Sequence, residues 1–324
     1  MTSAICMTTT GGPDVLEPAI LDLPAPGPGE VRLRHGAVGV NFVDVYHRTG
    51  LYPLPRLPAV LGVEGAGTVT AVGDGVADFA PGDRVAWAGL PAGGYTEERN
   101  IDAERLIRLP ETIDDRTAAA IMLRGITAHM LLERVVRVGP DTTVLVHAAA
   151  GGLGLILTRW AKALGARVVG TVGSEEKAET ALAAGLDHAI LHRRADFVAE
   201  VRRLTDGRGV DVAYDGIGGD TLPRTFDAVR PFGTVASIGQ VSGPIAPVAV
   251  TEIGPGRSLS FARPSVFAHA RDLVSYRAAA AALFARIADG LTVAVGLELP
   301  LAEAAEAHRR LEAGTTSGSI VLVP

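Results

Sequence analysis

Residues 144–157, VLVHAAAGGLGLIL, constrain the fold more than any other stretch of the chain. An apolar run of strand length enters a turn of small residues. The turn opens directly into a segment of helix formers, which makes it the start of a β–α unit. The alternation then continues. ARVVGTV reads as a second strand. SEEKAETALAAG reads as a helix with Ser174 as N-cap and Gly185 just past its end. HAILH, GVDVAYDGIG and GTVASIG read as further strands, with ADFVAEVRRLTDG as a helix among them. Such alternation predicts right-handed βαβ crossovers and a parallel sheet covered on both faces, an α/β fold.

The segment before this series has a different texture. Up to about Arg124, short apolar runs such as EVRLRHGAVGV and GAGTVTAVG are punctuated by the turn sequences PAPGPGE and FAPGDRV. This predicts a compact β-rich unit. A helix with an acidic start, DDRTAAAIMLRGITAHMLLERV, leads out of it. After about Arg263 come a helix near Leu273–Asp289, the strand TVAVGLELP, the helix LAEAAEAHRRLEAG and the strand SGSIVLVP. At 324 residues the chain exceeds what one core comfortably fills, so two domains are expected.

The glycine turn carries a chemical implication. A pyrophosphate rests well on a helix N-terminus, where unpaired N–H groups and the positive end of the dipole converge. Gly151 and Gly152 let backbone approach a phosphate, and Gly154 lets helix pack close to strand. The run Ala149-Ala150-Gly151-Gly152-Leu153-Gly154 has alanine in the first slot of the usual G-x-G-x-x-G. The bland alternative is a tight turn with no ligand. At the end of the second strand, an acid would hold the ribose 2′-hydroxyl of NAD. Gly173 and Ser174 stand there instead, and Lys177 follows one helical turn later. Only Lys162 and Lys177 among the 30 basic residues are lysines. This favours NADPH over NADH, against the alternative that Lys177 is a solvated helix residue.

Composition narrows the partners. A formal charge of −6 argues against a nucleic-acid binder. The start, MTSAICMTTTGG, lacks a basic and apolar leader, and no uncharged apolar run reaches bilayer length. A cytoplasmic protein is the expectation. Cys6 is the single cysteine, too few for a disulfide or a cysteine-rich zinc site. His188 and His192 would lie about 13 Å apart if both were in one strand. Asp44 and His47 lack a third ligand. No metal is expected.

The segments GGPDVLE, VGVNFVDVYHRTGLYP, LGVEGAGTVTAVGDGV, PGDRV, HAAAGGLGL, WAKALGARVVGTVGSEEKA, RPFGTVASIGQ and ARPS carry a resemblance in their order and spacing. The chain resembles the zinc-independent quinone oxidoreductases, the zeta-crystallin-like branch of the medium-chain dehydrogenase/reductases. The resemblance runs essentially end to end. It implies a GroES-like catalytic domain over 1–124, completed by 265–324, and a Rossmann-type NADPH-binding domain over 125–264. Zinc-bearing relatives place a cysteine near the position of Asn41 and a histidine at that of Val63, so the resemblance also implies metal-free chemistry.

Further implications concern the site. NFVDVYHRTGLYP would lie at the cleft between domains, with Asn41, Asp44, Tyr46 and Tyr52 as its polar, candidate catalytic lining. The tyrosines would donate to a developing oxyanion or stack on a planar acceptor. The alternative makes them packing residues. Cofactor contacts are implied for Phe42, Val43, Tyr46, Thr127, Met130, Gly152, Leu153, Gly173, Ser174, Lys177, His192, Ile217, Ile238, Gly239, Gln240, Val241, Arg263 and Ser265. Close bacterial relatives often carry tyrosine where His192 stands, and many carry lysine where Ser319 stands. The implied activity is hydride transfer from NADPH to a small quinone-like acceptor, in a homodimer joined along the Rossmann sheet edge. An enone or enal reductase, or a non-catalytic crystallin-like nucleotide binder, are the rivals.

Overall fold

The computed structural model describes residues 1–324 and divides into two compact units. One unit comprises Met1–Ile126, Val266–Ala285 and Thr292–Pro324; the other comprises Thr127–Ser265 and Arg286–Leu291.

The first unit opens with strands β1 (Thr2–Met7), β2 (Glu17–Leu21) and β3 (Glu30–Val40), then helix α1 (Phe42–Thr49). Strands β4 (Ala59–Val60), β5 (Glu64–Val72), β6 (Arg84–Ala88), β7 (Glu98–Asp102) and β8 (Ile107–Arg108) follow, then helix α2 (Asp115–His129). β3 organises this unit. Its alternating start buries Val31 and Leu33 among Val69, Val85, Trp87 and Ile101. A register shift between His35 and Ala37 then turns Val38 and Val40 into a second core with Leu61, Tyr95 and Ile320.

The second unit alternates as the sequence predicts. β9 (Thr143–Val146), α3 (Gly152–Ala163), β10 (Arg167–Val172), α4 (Glu175–Ala183), β11 (His188–Leu191) and α5 (Phe197–Leu204) lead to β12 (Val210–Asp215). Helix α6 (Thr221–Ala228), β13 (Val229–Ser237), α7 (Val250–Ile253) and β14 (Ser260–Ala262) complete it. The six strands are hydrogen-bonded in the order β11-β10-β9-β12-β13-β14, and every pairing is parallel. Val144, Leu145 and Val146 are wholly buried, as a strand covered on both faces requires.

The chain then returns through α8 (Val266–Arg271), α9 (Leu273–Ala288), β15 (Val295–Pro300), α10 (Ala304–Glu312) and β16 (Ser319–Val323). β16 pairs antiparallel with β3, setting Val321 beside Gly39, so the last strand completes a sheet begun near the N-terminus. GroES-like and Rossmann-type units of an α/β fold are therefore both present. No helix is long and apolar enough to cross a membrane.

Candidate active site

The parallel sheet reverses its strand order between β9 and β12, and ligands of such sheets bind beyond the carboxyl ends of the strands at that reversal. Most of the cofactor candidates lie on that edge. Gly151, Gly152 and Leu153 follow β9, and Gly173, Ser174 and Lys177 follow β10. His192 follows β11, Ile217 follows β12, Ile238, Gly239, Gln240 and Val241 follow β13, and Arg263 and Ser265 follow β14. Thr127 and Met130 stand elsewhere, where α2 gives way to a π-helical turn over Met130–Val135.

The turn after β9 fits a pyrophosphate. Ala148 adopts the left-handed conformation with φ of 52°, a strained choice for a residue with a Cβ. Gly151 is the N-cap of α3, and no side chain accepts from the first turn. By contrast, Ser174 Oγ accepts from the Lys177 amide at the start of α4, and Asp196 Oδ1 from the Val198 amide at the start of α5. The α3 N-terminus thus lacks the side-chain acceptor its neighbours have, which suits an external anion. Any Cβ at Gly154 would lie well inside van der Waals contact with the Ala148 carbonyl oxygen, so glycine is required for α3 to approach the strand.

A buried polar brace shapes the same edge. Asp215, wholly buried, accepts from the Ile217 and Gly218 amides at 2.8 and 2.9 Å and from the Thr225 hydroxyl at 2.9 Å. His147 contacts Thr225 Oγ1 through Nε2 and Thr171 Oγ1 through Nδ1, both at 3.0 Å. Burial pushes the His147 pKa down, favouring the neutral ring. With the Thr225 hydrogen given to Asp215, the His147 proton belongs on Nε2, and Thr171 donates to Nδ1. Arg263 ties the end of β14 to that of β13, donating to Ser237 Oγ at 2.7 Å and to the Gly239 carbonyl at 3.1 Å.

At the end of β10, Val172 pairs with Leu191 of β11, so Gly173 and His192 leave the sheet side by side. The atoms nearest a Cβ built at Gly173 are His192 Nε2 at 3.5 Å and Arg193 Nε at 3.9 Å. Arg193 is a residue that sequence reasoning missed. The strands were legible, but the register that sets residue 193 against residue 173 was not. Glu175 is occupied by an ion pair with Arg194 at 2.6 Å.

In the first unit, α1 gathers the other candidates. Tyr46 and Tyr52 pack edge to face with ring centroids 5.1 Å apart, and Phe42 lies 6.5 Å from Tyr46. Val43 is half-buried. Asn41 and Asp44 are engaged in support. Asp44 is wholly buried and accepts from the Asn41 amide at 2.8 Å, the Gly62 amide at 3.2 Å and the Tyr95 hydroxyl. Burial raises its pKa to about 7, against the pull of those donors.

This support extends inward. Arg48 donates to His308 Nδ1 at 3.1 Å and makes two 2.8 Å bonds to Glu312. Burial pushes His308 down to about 3, so its ring is neutral with the proton on Nε2. That nitrogen lies 2.9 Å from Tyr95 Oη, leaving the Tyr95 hydrogen to donate to Asp44. The donors therefore run in one direction, from a guanidinium to a carboxylate.

Val63 fills the position where zinc-bearing relatives place histidine, and it is wholly buried. Glu64 beside it is committed on both oxygens. Oε1 accepts from Asn41 Nδ2 at 2.7 Å and Arg124 Nη1 at 3.2 Å, and Oε2 accepts from the Leu123 amide at 2.7 Å. No group of three or more His, Cys, Asp or Glu side chains is placed to hold a metal ion. His188 contacts Arg167, and His192 lies just beyond the strand that holds His188.

The chain is similar to known proteins along its whole length. A family described as the alcohol dehydrogenase GroES-like domain matches residues 27–111, and one described as zinc-binding dehydrogenase matches residues 152–284. The chain is 43% identical to a quinone oxidoreductase of Pseudomonas aeruginosa, over 100% of both chains. It is also 43% identical to a 2-haloacrylate reductase of Burkholderia sp., over 100% of this chain and 99% of that one. The crystal structure of Escherichia coli quinone oxidoreductase complexed with NADPH superposes with a TM-score of 0.96 at 39% identity, covering 99% of this chain and 100% of that one. Fold and site together define a medium-chain dehydrogenase/reductase. Within that superfamily, the chain belongs to the quinone oxidoreductase family.

Proposed function

We propose that this protein is an NADPH-dependent quinone oxidoreductase that works without a metal. The carrying observation is the carboxyl edge of the parallel sheet, where an uncapped glycine turn stands next to a strand end that has Arg193 beside Gly173. Full-length relatedness to quinone oxidoreductases supports the same reading. Bound NADPH supplies the hydride. Gly151, Gly152 and Leu153 hold the pyrophosphate on backbone N–H groups. Ser174, Lys177, His192 and Arg193 receive the adenosine 2′-phosphate. Ile217, Ile238, Gly239, Gln240, Val241, Arg263, Ser265, Thr127 and Met130 orient the remainder, together with Phe42 and Val43.

Tyr46 and Tyr52 face the acceptor in this reading, one hydroxyl donating to the oxygen that gains charge. Asn41 and Asp44 act through position: their hydrogen bonds fix the start of α1 and so the tyrosines. A quinone is already electron-poor, so aligned delivery suffices without a Lewis acid. The small-molecule acceptor needs no nucleic acid or membrane. A second copy pairing along the short edge strand β14 would cover an open sheet edge and give a homodimer.

A second reading, reduction of an activated alkene, is favoured by the equally similar 2-haloacrylate reductase. Steady-state NADPH oxidation against 1,4-benzoquinone, 9,10-phenanthrenequinone, a simple enone and 2-chloroacrylate separates the two. The quinones are expected to turn over fastest. Turnover of the alkenes with idle quinones would replace the first reading by the second.

A further inference from the structure

We propose that two adjacent arginines, beside Ser174, Lys177 and His192, tune cofactor choice in the same direction by different means. Arg193 supplies positive charge beside Gly173 for a 2′-phosphate, and Arg194 holds the Glu175 carboxylate away from it. The inference rests on the nicotinamide-cofactor reading above and names what gives that site its preference.

The parallel register brings the two segments together. Val172 pairs with Leu191, so residues 192–194 leave the sheet alongside residues 173–175. The corner at Gly173 is open, with only His192 and Arg193 within 4 Å of a Cβ built there. Arg193 is exposed and makes no ion pair, so its charge is uncompensated. Arg194 is not among the residues near that corner and binds Glu175 Oε1 at 2.6 Å.

Glu175 is the acid nearest in sequence after the β10 end. Released, it could approach a ribose 2′-hydroxyl from the start of α4 and would repel a 2′-phosphate, as an acid at the strand end does in NAD-binding folds. Its ion pair with Arg194 is exposed at both ends, at 71% and 61% of the side chains, so it adds little to stability. Its consequence is the local potential at the mouth of the site. Arg194 is thus a positioning residue, acting through Glu175.

The test is binding of 2′,5′-ADP and 5′-ADP to the full chain by calorimetry, at fixed ionic strength. The wild type is expected to prefer 2′,5′-ADP. Arg193→Ala should cut that preference directly. Arg194→Ala should reduce it by about three- to tenfold, the effect of one added charge several ångströms from a phosphate in a water-like dielectric. Arg194→Ala combined with Glu175→Gln should restore it, because no carboxylate is left to release. Thermal melts are expected to stay unchanged across the set. A wild type that prefers 2′,5′-ADP while Arg194→Ala keeps the full preference would overturn the inference alone, as would failure of Glu175→Gln to restore it. A wild type that binds neither nucleotide would overturn the cofactor reading as well.

Discussion

Glu64 illustrates how a single residue can be legible in type and illegible in role. Val63 beside it, where the resemblance implies a histidine in zinc-bearing relatives, is the sign that a metal ligand set is missing. What the carboxylate does instead depends on Asn41, Leu123 and Arg124, distant in sequence and brought to it by the fold. Removing one partner of a buried ion pair leaves the other charged and unpaired, at a cost of about 3–5 kcal/mol. Glu64→Ala should therefore lower the unfolding free energy by about that amount in urea titrations. An unchanged midpoint would mean that Arg124 finds another partner.

Asp44 offers a pH-dependent counterpart. Its carboxyl sits near 7 in the fold, against an ordinary value of 3.8. A carboxyl whose pKa is raised on folding contributes stability fully present below the ordinary value, and that contribution is lost as pH rises through the folded value. The wild-type melting temperature should thus fall relative to Asp44→Asn between about pH 4 and 7. Parallel profiles would show that the three donors around Asp44 outweigh its burial. The sequence placed Asp44 among polar site residues but could not show Tyr95 and His308 behind it, because those contacts join segments far apart in the chain.

At the level of elements, the strand–turn–helix series was readable because each unit carries its own period and punctuation. Ser174 caps α4, and Gly185 lies just beyond that helix with φ of 99°. The change from α2 to a π-helical turn at Met130 was not readable, since no proline marks a break between Ala118 and Val135. Arg193 escaped for a related reason: register between strands is written in pairing, not in local pattern. The α3 start yields a direct prediction. Gly154→Ala would drive a methyl into the Ala148 carbonyl, an overpacking cost of about 1–3 kcal/mol. Nucleotide binding should weaken with it, measured by calorimetry, because the helix must withdraw from the turn. Unaltered affinity would show that the turn and α3 can shift together.

The whole molecule interleaves its two units. The first is interrupted by the second and is completed by β16 on β3. Periodicity reveals the elements but not such a return, and here the resemblance to a family added what pattern could not. Assembly is testable at this scale. Pairing along β14 predicts a mass of two chains in sedimentation equilibrium, while a single-chain mass at micromolar concentration would remove the edge-pairing proposal. The central claim is metal-free, NADPH-dependent reduction of a quinone. Its most direct test is a single-turnover experiment on protein stripped with chelator and assayed for residual metal, mixing stoichiometric NADPH with 1,4-benzoquinone and following the loss of reduced-cofactor absorbance. The account predicts full oxidation at the rate of untreated protein, with NADH reacting more slowly. A rate that collapses on stripping and returns with added zinc would contradict it.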